Sequence, residues 1–452
     1  MRYIALTLGP IVDTLALGRK TSEIWMASYL FSSFMKKTIK EIKSRGDSKF
    51  IVPFVDDETL FDEHDNGIGM FHDRFIFTTD TLSLEDIQVI VSEQKSVLAK
   101  MIAVSIKKDE KKVDKFIQNY MQTYLFETEE NFQNPLLEIS EILDSIELHT
   151  PLLEADEDYM RLFLNRDTLL NSTLAKESFG AKPSFDAIDA IAAQELDEDV
   201  NANNAYKYIA IIHADGDNLG AYIKKQEDVS EVSKKLFEFD KKAVQTIREY
   251  GALPLFVGGD DLLIFAPVIN NDKTIFDLIS LLSKDYEEAL GTNESTLSFG
   301  VSITYYKFPL YEALESSRDA LFLKAKKYDN KNAVALNVQK HSGQSFGFCM
   351  NKNELAYAQF VQLIDKVLND DLELPHAIHH KLHKHQALFK NIESKQIIDT
   401  FENIFNEDFH KVKFKEGLMQ IQTLLNSLGL ETEEQEKLFS MLSTIKLLRG
   451  DR

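Results

Sequence analysis

The stretch Ala252–Pro267 constrains the fold of this chain more than any other. It consists of two short apolar runs on either side of Gly258, Gly259, Asp260 and Asp261. Short, bounded runs rich in Val, Ile, Leu and Phe are typical of buried strands, and a tight connection between two of them predicts a β-hairpin. Glycine adopts turn conformations that other residues avoid and leaves room beside the backbone for a ligand. The hairpin therefore carries two adjacent carboxylates at its tip, next to an apolar sheet.

A second acidic cluster upstream favours a functional site over a solvated acidic turn. The apolar run that starts at Tyr208 leads directly into Asp215 and Asp217. Mg²⁺ and similar hard cations bind oxygen ligands, commonly one or two carboxylates together with substrate phosphates. Two such ions, about 4 Å apart, stabilise the attacking and leaving oxygens of an in-line phosphoryl transfer. A strand-end carboxylate beside the hairpin-tip pair therefore predicts a two-metal site made by Asp215, Asp260 and Asp261.

The segment between the two acidic clusters has the pattern of a helix. Apolar residues recur there at intervals of three and four, which places them on one stripe of an α-helix. They are Val232, Leu236, Phe239, Ala243, Ile247 and Tyr250. The resulting order is strand, helix, strand, carboxylate hairpin and strand.

The N-terminal part of the chain repeats this order, which indicates two units of ferredoxin type. A strand is followed by a helix from Thr21, two further strands and a second long helix. The predicted strands and the second helix are Tyr3–Leu8, Phe50–Val55, Arg74–Thr78 and Ser83–Ile106. The first strand ends in Gly9 and Pro10, where the later unit has Asp215. We therefore expect the N-terminal unit to lack a two-metal site.

These residues resemble the polymerase palm that is shared by nucleotidyl cyclases, diguanylate cyclases and the large subunit of type III CRISPR effector complexes. Further segments resemble that large subunit in particular, and the N-terminal one resembles its Cmr (III-B) branch. They are Ser298–Leu310, Ala325–Leu336 and Leu8–Leu30. The resemblance covers roughly residues 1–105 and 180–345. It implies an α+β fold with two ferredoxin-like palms.

We expect four domains from this resemblance and from the apolar patterns. Residues 1–106 form a first, non-catalytic palm, and residues 107–204 form a helical insertion with a linker. Residues 205–345 form a second, catalytic palm with the carboxylate hairpin. Residues 346–452 form a C-terminal helical domain, which in the family packs against small subunits. Within the insertion, helices are predicted over a series of aromatic residues. These are Phe116, Tyr120, Tyr124 and Phe126.

The resemblance implies a nucleotidyltransferase that acts on ATP. Asp215, Asp260 and Asp261 would be its catalytic residues and would hold two Mg²⁺ or Mn²⁺ ions. A 3′-hydroxyl would attack an α-phosphate in line, with pyrophosphate as the leaving group. The first palm would provide the facing wall. We expect nucleotide contacts from residues beside the carboxylates and near the last helix of the second palm, although a solvated helix end is an equally good interpretation of the two lysines. They are Gly258, Gly259, Gly216, Asp217, Asn218, Lys326 and Lys331.

The product and the partners also follow from the resemblance. The product would be a cyclic oligoadenylate, made when partner subunits that carry a guide RNA meet a target RNA. Some Cmr-type relatives join AMP to S-adenosylmethionine, so this co-substrate is an alternative, although we find no methionine-recognition motif. A catalytically silent scaffold of the ribonucleoprotein is a second alternative, against which the mutual repulsion of three carboxylates argues. A stand-alone cyclase of the diguanylate type is a third, against which the second palm-like unit and the helical tail argue.

The composition of the chain limits the cellular compartment and the kinds of binding site that we expect. A single cysteine, Cys349, excludes a disulfide within the chain and a cysteine-based zinc site. No signal peptide or long apolar run is present, so we expect a cytoplasmic protein without membrane contact. The 73 acidic residues outnumber the 51 lysines and arginines, which gives a net charge of −22. This charge argues against non-specific binding of nucleic acid by the whole chain, but not against a local basic patch.

Two histidine-containing motifs invite a metal-site interpretation that we do not favour. His72 and Asp73 spell the signature of HD phosphohydrolases, which need further His and Asp residues on several helices. Here the dipeptide leads into a predicted strand and the palm begins at the start of the chain, so we expect no HD nuclease domain and a structural role for Asp73. Five more histidines cluster near the C-terminal domain, without the glutamate of an H-E-x-x-H motif, and we interpret them as a partner-facing or solvated helix. They are His376, His379, His380, His383 and His385.

Overall fold

The computed structural model describes most of the chain as two sheet-containing modules followed by helices. The described ranges are residues 2–61, 67–130, 132–148, 157–179, 191, 204–226, 228–374, 378–384, 396–405, 411–429 and 431–450. Almost all of the expected linker before residue 205 lies outside these ranges, as do His376 and His385. No described helix is both long enough and apolar enough to cross a membrane.

The first module contains a four-stranded sheet. Its strands are β1 (Arg2–Gly9), β2 (Lys49–Val52), β3 (Arg74–Thr79) and β4 (Gln122–Thr128). They lie in the order β2-β3-β1-β4, and every pairing is antiparallel. The helix Thr21–Arg45 connects β1 to β2, and the helices Leu84–Ile106 and Glu110–Tyr120 connect β3 to β4. This arrangement is the ferredoxin-like fold that the repeated order predicted.

The strand β4 lies where we predicted only helices. Phe116 and Tyr120 are helical, but the helical prediction for Tyr124 and Phe126 is wrong because both residues belong to β4. All seven residues of this edge strand are half-buried, with no alternation between buried and exposed positions. Its sequence accordingly lacks the strong apolar alternation by which a strand is identified. Its conformation depends on pairing with β1, a contact between distant parts of the chain. The expected boundary at residue 106 therefore leaves out the edge strand of the first sheet.

Short helices surround this sheet. They are Ile11–Leu15, Pro135–Glu147, Tyr159–Leu164, Arg166–Leu169 and Thr173–Phe179. In the helix Pro135–Glu147, Ile139 and Leu143 pack on Ala5 and Ile76, on the outer face of the sheet. The helices Tyr159–Leu164 and Arg166–Leu169 instead contact Thr21–Arg45 and Leu84–Ile106, so the predicted insertion packs on both sides of the first module.

The helix Thr21–Arg45 is buried on every side over its first part. Every residue from Thr21 to Met35 is buried, including the adjacent Trp25 and Met26. A helix that is buried all round has neighbours on every side. Its side chains belong to one apolar cluster that also contains residues of the second sheet. The two modules therefore share a core around this helix.

The second module contains a six-stranded sheet that extends the same ferredoxin-like order. Its strands are β5 (Tyr208–Asp217), β6 (Leu253–Gly258), β7 (Asp261–Pro267), β10 (Thr296–Tyr305), β11 (Ala333–Gln339) and β12 (Ser345–Asn351). A separate pair is formed by β8 (Ile269–Asn270) and β9 (Lys273–Thr274). The sheet order is β12-β11-β10-β5-β7-β6. The hairpin predicted over Ala252–Pro267 is confirmed as β6 and β7, which are antiparallel.

Helices cover both faces of this sheet. The helices Val229–Glu249 and Ile275–Leu290 lie over one face, and the helix Leu310–Asp319 lies over β10 and β5 on the other. A short helix, Leu219–Ile223, follows β5. Gly300 on β10 allows this packing, because a side chain there would collide with backbone atoms of Ser317 and Leu321.

Among the described residues after 345, the first segment is a strand and the regular elements that follow it are helices. Our prediction that this part of the chain is entirely helical is wrong for β12, which pairs with β11 and completes the second sheet. The helices that follow pack on the second module, as expected for a helical domain. They are Leu355–Leu368, Ile378–Lys384, Ile397–Ile404, Val412–Leu428 and Thr432–Arg449.

We predict that Gly300→Ala destabilises the second module. The new methyl group would collide with the backbone of the helix Leu310–Asp319, and such overpacking costs about 2 kcal/mol. Chemical denaturation should report this loss of the free energy of unfolding. The matched control is Gly220→Ala, where the nearest atom would be 3.7 Å from the new methyl group. Equal stability of the two variants would contradict the close packing at β10.

Candidate active site

A cleft of about 590 Å³ lies on the face of the second sheet that looks toward the first module. Its floor is formed by side chains of β5 and β7, and its two walls by helices from different modules. The floor residues are His213, Asp261, Leu262 and Leu263. The walls include Ser28, Phe31 and Ser32 from Thr21–Arg45, and Tyr311, Leu314, Glu315 and Arg318 from Leu310–Asp319. The cleft is thus the gap between two helices that cover one sheet.

The acidic residues predicted from the sequence lie at one end of the second sheet. Asp215 and Asp217 are at the end of β5, and Asp260 and Asp261 are at the tip of the β6–β7 hairpin. Asp260 lies against Gly216, where any side chain would collide with its carboxylate and with the hydroxyl of Tyr286. The close approach of the hairpin to β5 therefore requires glycine at position 216.

Asp217 is fully buried, and its carboxylate accepts several hydrogen bonds within the protein. Its Oδ2 accepts them from Thr296 Oγ1 at 3.0 Å, Ser298 Oγ at 2.7 Å and the backbone N–H of Asn332 at 2.9 Å. Its Oδ1 lies 3.1 Å from the ammonium group of Lys326. This carboxylate therefore fixes the end of β5 and orients Lys326, whereas nucleotide contact by Asp217 stays a prediction.

Lys326 holds the acidic end of β5 together. Its ammonium group contacts the carboxylate of Asp215 and donates hydrogen bonds to the carbonyl oxygens of Asp215 and Gly216. Lys331 lies nearby and donates to Asn218 Oδ1 at 3.3 Å. Lys326 thus reaches the carboxylate cluster, whereas Lys331 contacts the neighbouring Asn218, and nucleotide contact by either lysine stays a prediction.

Burial, together with the charges of neighbouring carboxylates, disfavours the ionisation of Asp215, Asp260 and Asp261. Burial and the charge of Asp215 raise the pKa of Asp260 to about 6. Burial raises the pKa of Asp215 too, although Lys326 opposes this shift. Confinement in the cleft and the carboxylates of Asp260, Asp215 and Asp73 raise the pKa of Asp261, while its exposure at the cleft surface screens part of the effect. A cation at this end of the cleft would relieve the repulsion.

The hairpin tip is supported by residues that the sequence analysis did not assign to the site. The buried carboxylate of Asp240 accepts a hydrogen bond of 2.8 Å from the backbone N–H of Gly259. Gly259 has a φ of +69°, and a side chain there would collide with the ring of His72 from the first module. The ring of Phe256 fills the space beside Gly258. Protein side chains thus occupy the space beside both glycines, and nucleotide contact by either stays a prediction.

One of these supports left a signal in the sequence. Asp240 lies within the apolar stripe of the helix Val229–Glu249, next to Phe239 and three residues before Ala243. A carboxylate in such a stripe must find a hydrogen-bond donor in the core. His72 left no comparable signal, because its contact depends on how the two modules pack.

His72 and Asp73 line the cleft together with Asp261. Burial lowers the pKa of His72 to about 4 and raises the pKa of Asp73 to about 6. His213 on the cleft floor is hydrogen-bonded through Nδ1 to Ser317 Oγ at 2.8 Å. The C-terminal histidine cluster lies outside the described residues at His376 and His385, and its other three members fall on the helix Ile378–Lys384.

The residues at this end of the cleft suit a magnesium ion that is completed by substrate. Within the described ranges, no three His, Cys, Asp or Glu side chains converge on one point as a ready-made metal cage. Mg²⁺ typically takes only one or two carboxylates and completes its shell with phosphates and water. Asp215, Asp260 and Asp261 offer hard oxygen donors of this kind, and the ammonium of Lys326 already stands among them as a cation.

We predict that Asp217→Ala destabilises the protein by about 3 kcal/mol. The substitution would leave three hydrogen-bond donors without their acceptor, and it would remove one of the two carboxylates that contact the half-buried ammonium of Lys326. Denaturant titration should show the loss. The control is Asp272→Ala, because Asp272 is exposed and its removal should change stability by less than about 0.5 kcal/mol. A similar small effect in both variants would contradict the anchoring role of Asp217.

The buried Asp240 predicts a pH-dependent stability difference. Burial raises the pKa of Asp240 from an ordinary value of 3.8 to about 8. Between these values the folded chain retains a proton that the unfolded chain releases, so stability falls as the pH rises. Asp240→Asn cannot ionise and keeps an oxygen for the N–H of Gly259. The variant and the parent protein should melt at similar temperatures near about pH 4, and the variant several degrees higher near about pH 9. A difference that does not change with pH would refute this account.

Comparison with known proteins places the chain in a family. One family model, described as CRISPR-associated protein Cmr2, N-terminal, matches residues 3–122. A second, described as Cas10/Cmr2, second palm domain, matches residues 208–335. The Cmr subunit Cmr2 of Pyrococcus furiosus is 26% identical over 228 residues, which are 43% of this chain and 26% of that protein. The similarity thus spans about a quarter of that curated relative.

Solved structures share the fold. A type III-B Cmr-beta complex in the apo state contains a chain with a TM-score of 0.58 and 10% identity, covering 91% of this chain and 77% of that one. In the Cmr-beta complex bound to cognate target RNA, the matching chain has a TM-score of 0.55 and 9% identity. The match covers 90% of this chain and 78% of that one. In a Csm1–Csm4 cassette in complex with cA3, the matching chain has a TM-score of 0.52 and 11% identity. The match covers 100% of this chain and 70% of that one. With the two family models together matching more than half of it, the chain belongs to the Cas10/Cmr2 family, the palm-containing large subunits of type III CRISPR effector complexes.

Proposed function

We propose that this chain is a metal-dependent nucleotidyltransferase that uses ATP and makes a cyclic oligoadenylate in the cleft between its two modules. The observation that carries the proposal is the cluster of Asp215, Asp260 and Asp261, of which Asp261 lines that cleft. Three carboxylates whose ionisation is disfavoured would be a poor choice for a purely structural sheet end. They are a good choice where divalent cations and phosphates arrive together.

Different residues of the chain would have different roles in the reaction. A bound pair of divalent cations would lower the pKa of the attacking 3′-hydroxyl and stabilise the pyrophosphate leaving group. Asp215, Asp260 and Asp261 would hold the cations, and Asp217 would keep Lys326 directed at the same point. Lys326 would remain beside the phosphates as a fixed positive charge. Tyr286 and Gly216 would hold the carboxylate of Asp260 in place.

The outer part of the cleft offers surfaces that suit a nucleotide base. Tyr311 and Phe322 are partly exposed there, and each has an arginine close to its ring. The guanidinium of Arg19 lies 4.6 Å from the ring centre of Tyr311, and that of Arg318 lies 6.0 Å from the ring centre of Phe322. Aromatic and guanidinium planes both stack on bases. These residues would therefore bind the base while the carboxylates hold the phosphates.

Ligands of related structures support adenine nucleotides as substrates and products. Csm1–Csm4 cassettes have been solved with AMPPNP and with cA4, at TM-scores of 0.50 and 0.51 to this chain. The Cmr-beta complex has been solved with cognate target RNA. We therefore propose that other CRISPR subunits and target RNA control the reaction here.

We predict that Asp260→Ala combined with Asp261→Ala abolishes product formation from ATP. The protein, alone and in its RNA–protein complex with target RNA, would be incubated with ATP and Mn²⁺, and the products identified by mass spectrometry. Removing the repelling carboxylates should not lower stability, so thermal melting should match or exceed that of the parent protein. The matched control is Glu129→Ala with Glu130→Ala, an adjacent acidic pair that is exposed on the first module. Product formation that survives in the hairpin variant would sink the site assignment.

The same assay distinguishes the alternatives when S-adenosylmethionine is added. Oligoadenylate masses would support the cyclic product. A product with the mass of AMP joined to S-adenosylmethionine would support the same carboxylate site, with S-adenosylmethionine instead of a second ATP as the acceptor. If no product forms under any condition and ATP does not bind, the chain is a scaffold and the proposed function is wrong.

A further inference from the structure

A second cavity, of about 510 Å³, lies at the end of the second sheet that is remote from the carboxylates. It opens where β5 begins at Tyr208 and β10 ends at Tyr305. The turn between β11 and β12 and the end of the last helix complete it. These parts contribute Lys340, His341, Ser342, Lys446, Leu447 and Gly450. Ten residues of β5 separate the two sites, so they are about 30 Å apart.

The charge of this cavity is opposite to that of the chain. Its described lining contains Lys207, Lys340 and Lys446 and no carboxylate, although the chain carries a net charge of −22. Lys207 is exposed, and the other two are half-buried. Each ammonium has three N–H donors, so a lysine with one partner in the protein can still donate to a phosphate. A local basic pocket on an acidic protein favours a phosphate-bearing ligand.

Flat ring surfaces line the same cavity. The ring of Tyr305 lies 4.6 Å from the ring of His341 and 5.9 Å from that of Tyr208, between ring centres. His341 is exposed and Tyr305 is half-buried. Next to them, Lys307 Nζ lies 5.3 Å from the ring centre of Tyr306. Proteins bind single-stranded nucleic acids with aromatic rings placed among basic side chains, because bases stack on the rings and phosphates bind the cations.

We propose that this pocket binds a short stretch of single-stranded nucleic acid. One base stacks on the exposed ring surface of the Tyr305–His341 pair. The phosphates on either side of that base bind Lys207, Lys340 and Lys446. An acidic peptide would use the lysines but would have no need of the rings. The cavity has room for about one nucleotide, so the rest of the strand runs over the adjoining surface. This inference is independent of the chemistry proposed for the cleft.

The test is binding of short fluorescent single-stranded RNA and DNA of the same sequence to the full chain, measured by anisotropy at several salt concentrations. Lys207→Ala with Lys340→Ala should weaken binding at least about tenfold and make the salt dependence shallower by about 0.7 per lysine removed. His341→Ala should weaken binding about tenfold without changing the salt dependence. A stronger loss with RNA than with DNA identifies RNA as the ligand, and the reverse identifies DNA.

The matched control is Lys100→Ala with Lys111→Ala, which removes the same charge from exposed positions on the first module. Thermal melting checks that all variants are folded. Ultraviolet cross-linking should attach the strand to the peptides that contain Tyr305 or His341. If the pocket and control variants bind equally, or if the cross-links map elsewhere, the proposal is wrong.

Discussion

The structure depends on covering the apolar face of the second sheet that carries Ile211, Leu263 and Phe265. Leaving such a face in water costs about 25 cal/mol for each Å² of apolar surface. The helix Leu310–Asp319 covers only part of it, and the helix Thr21–Arg45 of the first module covers the part near β6. The cleft lies between these two helices, and residues of both line it. The first module is therefore a wall of the candidate site and not merely a second copy of its fold.

The buried pair of Lys326 and Asp217 organises the chemical end of this cleft. Removing both charges from water is costly, and the cost is offset by the hydrogen bonds that Asp217 accepts from β10 and from the backbone of Asn332. Lys326 then balances one of the carboxylates that face the cleft. The others lie close together in partly buried positions, and a cation bound there would favour their charged forms at the place where phosphates would also have to lie.

The sequence predicted those parts of the fold that local patterns control. The hairpin, both ferredoxin-like orders and the long helices follow from apolar spacing and from glycine at turns. The strands β4 and β12 could not be predicted in this way, because the pairing partners that order them are remote or were assigned to another domain. The acidic site residues stood out as carboxylates at strand ends. The contact of His72 and the burial of every residue from Thr21 to Met35 depend on contacts between modules, for which a single sequence carries no local pattern.

The contact between Gly69 and the hairpin has a consequence for how the chain behaves among other chains. The backbone N–H of Val257 donates to the carbonyl oxygen of Gly69 at 3.2 Å, and Gly69 forms an isolated parallel bridge with Phe256. β6 is the last strand of its sheet, and an open edge is a template on which foreign strands can add. The first module occupies part of that edge. It thereby protects the carboxylate hairpin from unwanted pairing with strands of other chains.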